Sequence, residues 1–232
     1  VNPTTNKVVA NIMVGPRPSG IVYDPSNGYL YVTVSGSDAV AVINPSTNSV
    51  IANITIDGEP LGITYDPSNG YIYVTDRTFN TVVVINPTTN KVVTVIPIKA
   101  NPRYLIYDSN NGYIYVADFY HTNFIYVINS TTNRVIAMMQ VGKNPACIAY
   151  APSTGYVYVM DQDGSIYIIS PITNRVIAKV TQNVTLESPC GGAVYDPSNG
   201  HIYFAGYGHL YVFDPMTNQI IDTIPVSGHG IT

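Results

Sequence analysis

Asp76, Asp118 and Asp161 each stand 11 residues after a tyrosine, at Tyr65, Tyr107 and Tyr150, so three successive units present a carboxylate at one height. Such an arc could attract a cation or a basic partner. Each carboxylate could equally cap its own loop by accepting backbone N–H groups. In "DQDG", Asp161 and Asp163 flank one residue ahead of a glycine bend, which suits oxygen coordination and makes them a candidate calcium site, though the fragment is too short to be specific. No other cofactor is expected. Aromatic and basic side chains gather nearby: Arg77 with Phe79, Arg103 with Tyr104, Phe119 and Tyr120 with His121, and Tyr207 with His209. Side chains of these types anchor recognition of proteins and sugars, and they also fill space between packed sheets.

Catalysis finds less support. There are four histidines, and the chain has no "GxSxG" elbow, no "HExxH", no paired CxxC and no "GxxxxGK" loop. A lactonase- or lyase-like site would have to be assembled from scattered residues such as His121, His209 and His229. Ten Lys and Arg are dispersed against 14 Asp and Glu, for a net charge of -4, so no basic patch is present to neutralise phosphates and no nucleic-acid partner is expected.

The elements that position these residues come from a repeat. "YDPSNGYLYV" at Tyr23 returns as "YDPSNGYIYV" at Tyr65, "YDSNNGYIYV" at Tyr107, "YAPSTGYVYV" at Tyr150 and "YDPSNGHIYF" at Tyr195, at intervals of 42, 42, 43 and 45 residues. A second turn keeps the same beat, as "NPTTN" at Asn2, "NPSTN" at Asn44, "NPTTN" at Asn86, "NSTTN" at Asn129, "SPITN" at Ser170 and "DPMTN" at Asp214. Asp or Asn accepts backbone hydrogen bonds, Pro fixes φ, and Gly or Asn takes the left-handed conformation, so both phrases read as turn grammar. Between them run short strands rich in Val, Ile and Tyr, apolar on both faces, with neither a helical period nor about 18 consecutive apolar residues.

The expected fold is therefore all-β: a β-propeller of four-stranded antiparallel blades. Five complete blades are expected at 15–57, 58–100, 101–143, 144–190 and 191–227, with partial blades at both ends. Residues 1–14 read as an outer strand and 228–232 as the start of a further blade, so the chain is expected to be a fragment of a longer protein. Open edges would favour self-association. The two regular turns share one rim, and the opposite rim carries loops that differ in every repeat: "VSGSDA", "DRTFNT", "DFYHTN", "DQDGS" and "GYGH". Recognition is expected on that divergent rim.

The tetrapeptides "YVTV" at Tyr31, "YVTD" at Tyr73, "YVAD" at Tyr115, "YVMD" at Tyr158 and "YFAG" at Tyr203 give the chain a family likeness. It resembles the YVTN family of β-propeller repeats, which includes domains of archaeal surface-layer proteins. The resemblance covers essentially the whole chain, although the closing Asn of the tetrapeptide is never kept. It implies a non-catalytic, extracellular or cell-surface module whose partners are surface proteins, neighbouring domains or glycans. Cys147 and Cys190, near the starts of innermost strands, are a candidate disulfide. Sequons stand at Asn53, Asn129 and Asn183.

Overall fold

A computed structural model describes residues 1–2, 4–99, 101–120, 123–181, 191–206 and 208–226. Its strands form five sheets. Blade 1 is β1 (Pro18–Asp24), β2 (Tyr29–Val34), β3 (Ala39–Asn44) and β4 (Ser49–Thr55). Blade 2 is β5 (Pro60–Asp66), β6 (Tyr71–Asp76), β7 (Thr81–Asn86) and β8 (Lys91–Pro97). Blade 3 is β9 (Asn101–Asp108), β10 (Tyr113–Tyr120), β11 (Phe124–Asn129) and β12 (Arg134–Gln140). Blade 4 is β13 (Cys147–Ala151), β14 (Tyr156–Met160), β15 (Ser165–Ser170) and β16 (Arg175–Thr181). Blade 5 is β17 (Gly192–Asp196), β18 (His201–Ala205), β19 (His209–Asp214) and β20 (Gln219–Pro225). Within each sheet consecutive strands pair antiparallel, and the inner strands pack in sequence, β1 on β5, β5 on β9, β9 on β13 and β13 on β17. This is the five-bladed, all-β propeller that the repeat implies.

Both turns form by the expected chemistry. Asp66 Oδ1 accepts from Ser68 N at 2.8 Å, Asn69 Oδ1 accepts from Tyr71 N at 2.8 Å, and Gly70 has φ +74. In the second turn Asn86 Oδ1 accepts from Thr88 N at 2.9 Å while Asn90 takes φ 53. These bonds leave each turn self-sufficient and free to repeat.

The core lies between blades. Tyr31, Val40, Val42, Ile54 and Ile56 of blade 1 pack on Ile72, Val74, Val83 and Ile85 of blade 2, and equivalent clusters fill the next three gaps. Neither face of an inner blade could stay in water, which is why the strands lack polar alternation.

The ends depart from expectation. No strand forms among the described residues of 1–14; they hold one bridge, Asn2 to Lys7. Ile12 and Val14 nevertheless pack on Val32, Val34, Ala41 and Ile43 of blade 1, as Ile54 and Ile56, 42 residues later, pack on blade 2. Residues 228–232 lie outside the described residues. Ile21 and Val194, on the outward faces of blades 1 and 5, are each 62% exposed.

Candidate functional site: the axial cavity and the divergent rim

The tetrapeptide that gives the resemblance is a set of latches between blades. Tyr31, wholly buried, directs its hydroxyl to Pro87 O of blade 2 at 3.3 Å, and Tyr73 reaches Ser130 O of blade 3 at 3.2 Å. Burial pushes the Tyr73 phenol up to about 12, so it stays a donor at any working pH. Thr33 Oγ1 accepts from Gly20 N at 2.7 Å and donates to Leu61 O at 2.6 Å, which ties two inner strands together. Thr75 does the same between Gly62 N and Arg103 O, at 2.8 and 3.1 Å. The sequence reading assigned no role to these hydroxyls; their recurrence in register with the inner-strand glycines is the signal that marks them.

The three aspartates in register accept backbone hydrogen bonds at or near the ends of β6, β10 and β14. Asp76 closes β6, is 2% exposed, and accepts from Thr78 N at 2.9 Å and Phe79 N at 3.4 Å. Burial raises its carboxyl above the usual range. Asp118 lies within β10, fully buried, and accepts from Asn101 N at 3.0 Å, which joins the strand end to the entry of the same blade. Asp161 and Asp163 both accept from Ser165 N, at 2.9 and 3.0 Å, so their Oδ1 atoms converge on a backbone N–H. Burial, then the neighbouring Asp163, pushes the Asp161 carboxyl up to about 8, while the hydrogen bond from Asp161 holds Asp163 down to about 2. The pair shares one negative charge rather than presenting two.

The rim residues divide. Phe79 is 60% exposed, and Arg77 Nε pairs with Glu59 at 3.4 Å. His209 is exposed and stacks on Tyr211. Phe119 belongs to the core: β10 runs on through Tyr120, and its ring is 2% exposed among Ala146, Cys147 and Phe204. The Tyr120 side chain, His121 and Tyr207 lie outside the described residues.

Arg103 and Tyr104 line an axial cavity of about 360 Å³ whose walls come from the inner ends of all five blades, from Ser19 of β1 to Gly192 of β17. Small residues at one register make the ring narrow there. A Cβ on Gly62 would run into Arg103 O, and one on Gly20 would sit 2.8 Å from Leu61 O. Cys147, at the same register in blade 4, is fully buried and disulfide-bonded, with Sγ 3.0 Å from Gly192 O. Its expected partner, Cys190, lies outside the described residues. Asn53 is exposed on β4, Asn129 is engaged in its turn, with Oδ1 accepting from Thr131 N at 3.0 Å, and Asn183 also lies outside the described residues.

This fold has solved counterparts. The chain superposes on hydrazine synthase of Kuenenia stuttgartiensis with a TM-score of 0.75 at 16% identity, covering 89% of this chain and 59% of that one. It therefore spans well under two thirds of that protein. A catalytically inactive virginiamycin B lyase from Staphylococcus aureus, solved with quinupristin, gives 0.77 at 15% identity over 92% of this chain and 71% of the other. A selenomethionine-substituted form of the same lyase gives 0.76 at 15% identity, over 91% and 70%. At such identities the likeness establishes a shared propeller fold. No curated protein matches the sequence. A family model described as a repeat of unknown function matches residues 104–219, three successive blade segments that make up half of the chain. By that match the chain belongs to the DUF6923 repeat family.

Proposed function

We propose that the chain is a non-catalytic, extracellular or cell-surface propeller, a structural and protein- or glycan-interaction module like the YVTN repeats of archaeal surface-layer proteins. The observation that carries this reading is the contrast between the two rims. On the regular rim, turn side chains are engaged within the turns or latched to the next blade, while the opposite rim displays Arg77 and Phe79 on a divergent loop and His209 at the start of β19. The circumference supports a packing role. A bulge in each outer strand turns one aliphatic side chain outward, with Ile51 46%, Val93 48%, Ile136 44%, Ile177 51% and Ile221 49% exposed. The partners are surface proteins, neighbouring domains or glycans, joined by self-association at the open faces of blades 1 and 5. No helix of the described residues is long and apolar enough to cross a membrane.

Binding of the whole chain to immobilised glycans and envelope proteins tests the reading. Saturable binding is expected. Arg77→Ala with Phe79→Ala should weaken it at least tenfold at an unchanged melting midpoint, and unchanged binding rejects the rim as the site. The second reading is a lyase- or lactonase-like enzyme with its site over the channel, favoured by the axial cavity and by the lyase among the structural counterparts. Turnover of lactone or lyase substrates that His209→Ala abolishes would establish that reading instead.

A further inference from the structure

The geometry points to the axial cavity as a binding site for a small organic acid, a carboxylate on a short apolar body, with Arg103 as the residue that takes the carboxylate. This goes beyond the rim reading, because the ligand is a small molecule and the walls are inner strands.

Charge sets the head group. Among the described residues Arg103 is the one charged residue lining the cavity, and no carboxylate lines it. Among the described residues, ion pairs join Glu59 to Arg17 and to Arg77, and none reaches Arg103. The guanidinium is held instead by rings: its carbon lies 5.3 Å from the Tyr104 centroid and 4.8 Å from that of Phe119. Such stacking, together with a hydrogen bond from the guanidinium to the Tyr104 hydroxyl, orients the planar fork, which has further N–H groups to offer a ligand. Phe119 is itself fixed in the core between blades 4 and 5, so the platform is rigid. A guanidinium that no carboxylate meets among the described residues favours an oxyanion, and its fork matches a carboxylate in bidentate fashion.

Shape and polarity set the rest. Apart from Ser19 and Tyr104, the remaining walls are glycine backbone and apolar residues, including Leu61, Ile63, Leu105 and Ile148. About 360 Å³ is within the range of small-molecule sites, too small for a folded partner and ample for an acid of about six carbons. The inner-strand glycines Gly20 and Gly62 let neighbouring inner strands approach closely around the cavity, since a Cβ at either would meet the next strand.

Hexanoate and its neutral counterpart hexanol are the probes, titrated into the full chain with methyl NMR of Ile63, Leu105 and Ile148. Hexanoate is expected to shift these signals saturably and to bind at least tenfold more tightly than hexanol. Arg103→Gln should reduce hexanoate binding at least tenfold while leaving hexanol binding unchanged. If that variant fails to fold, the comparison of the two probes on the wild-type chain decides alone. Equal binding of both probes, hexanoate shifts confined to residues outside the cavity, or no saturable shift at millimolar concentrations would each overturn the assignment.

Discussion

At Asp161 burial makes a carboxylate beside a strand end sensitive to pH. Its side chain is wholly inside, its Oδ1 accepts from Ser165 N, and a Cβ on Gly142 would collide with its Oδ2. Folding therefore favours the protonated form, with a pKa of about 8 against an ordinary value near 3.8. The folded state then holds a proton that the unfolded chain has released, so this group's contribution to stability declines as pH rises from roughly 4 to 8 and levels off above that. Asp161→Asn retains the acceptor and supplies a permanent donor towards Asp163. It should flatten this part of the profile and raise stability at pH 8 by about 1 kcal/mol or more, read from thermal melts at several pH values. Identical pH slopes for variant and wild type would show that Asp161 is ionised in the fold. Calcium should leave the wild-type midpoint unchanged, because both Oδ1 atoms already serve one N–H.

At the scale of the element, the inner strand must come close enough for a threonine of one blade to reach the carbonyl of the next. That approach accounts for the glycine three residues before the repeat tyrosine at Gly20 and Gly62. In blade 3 the position is Tyr104, and the tetrapeptide there has Ala117 in place of the threonine, so ring packing replaces the hydroxyl clasp. Gly62→Ala would force β5 away from β9 and should destabilise the chain by about 2 kcal/mol, in the range of overpacked sites. Gly70→Ala, with nothing within 4 Å but φ +74, should cost only about 1 kcal/mol, through backbone strain alone. Urea denaturation of the two variants separates close approach from turn conformation; equal losses would mean the inner strands can spread without penalty.

At the scale of the whole molecule, blades 1 and 5 differ from the three between them, for among the described residues each has a further blade on one face only. Each inner blade buries both faces, whereas blade 1 leaves Ile21 and Tyr23 at 62% and 52% exposure and blade 5 leaves Val194 at 62%. In blade 4 the counterpart of Ile21 is Ile148 and that of Val194 is Ala149, each 3% exposed. Two apolar faces of this kind favour association. The chain should sediment as a concentration-dependent mixture, and Ile21→Asp with Val194→Asp should move it to monomer without lowering the melting midpoint. A wild-type chain that stays monomeric at high concentration would mean these faces carry no association.

The repeat by itself determined the blade, its strand order and its turn chemistry, because those depend on contacts a few residues apart: Asp66 capping Ser68, Asn90 in the left-handed region, short strands apolar on both sides. It also separated a regular rim from a divergent one. Tertiary structure alone decided the fate of individual side chains on that rim. Phe119 and Asp118 look like loop residues in sequence, yet the extension of β10 carries them inside; Phe79, of similar local character, stays in water. The outer-strand character of 1–14 was legible as a period, but pairing needs a neighbouring strand that no local pattern supplies. The axial cavity belongs wholly to the tertiary level, since its walls are residues more than forty positions apart brought side by side only when the sheets stack about one axis.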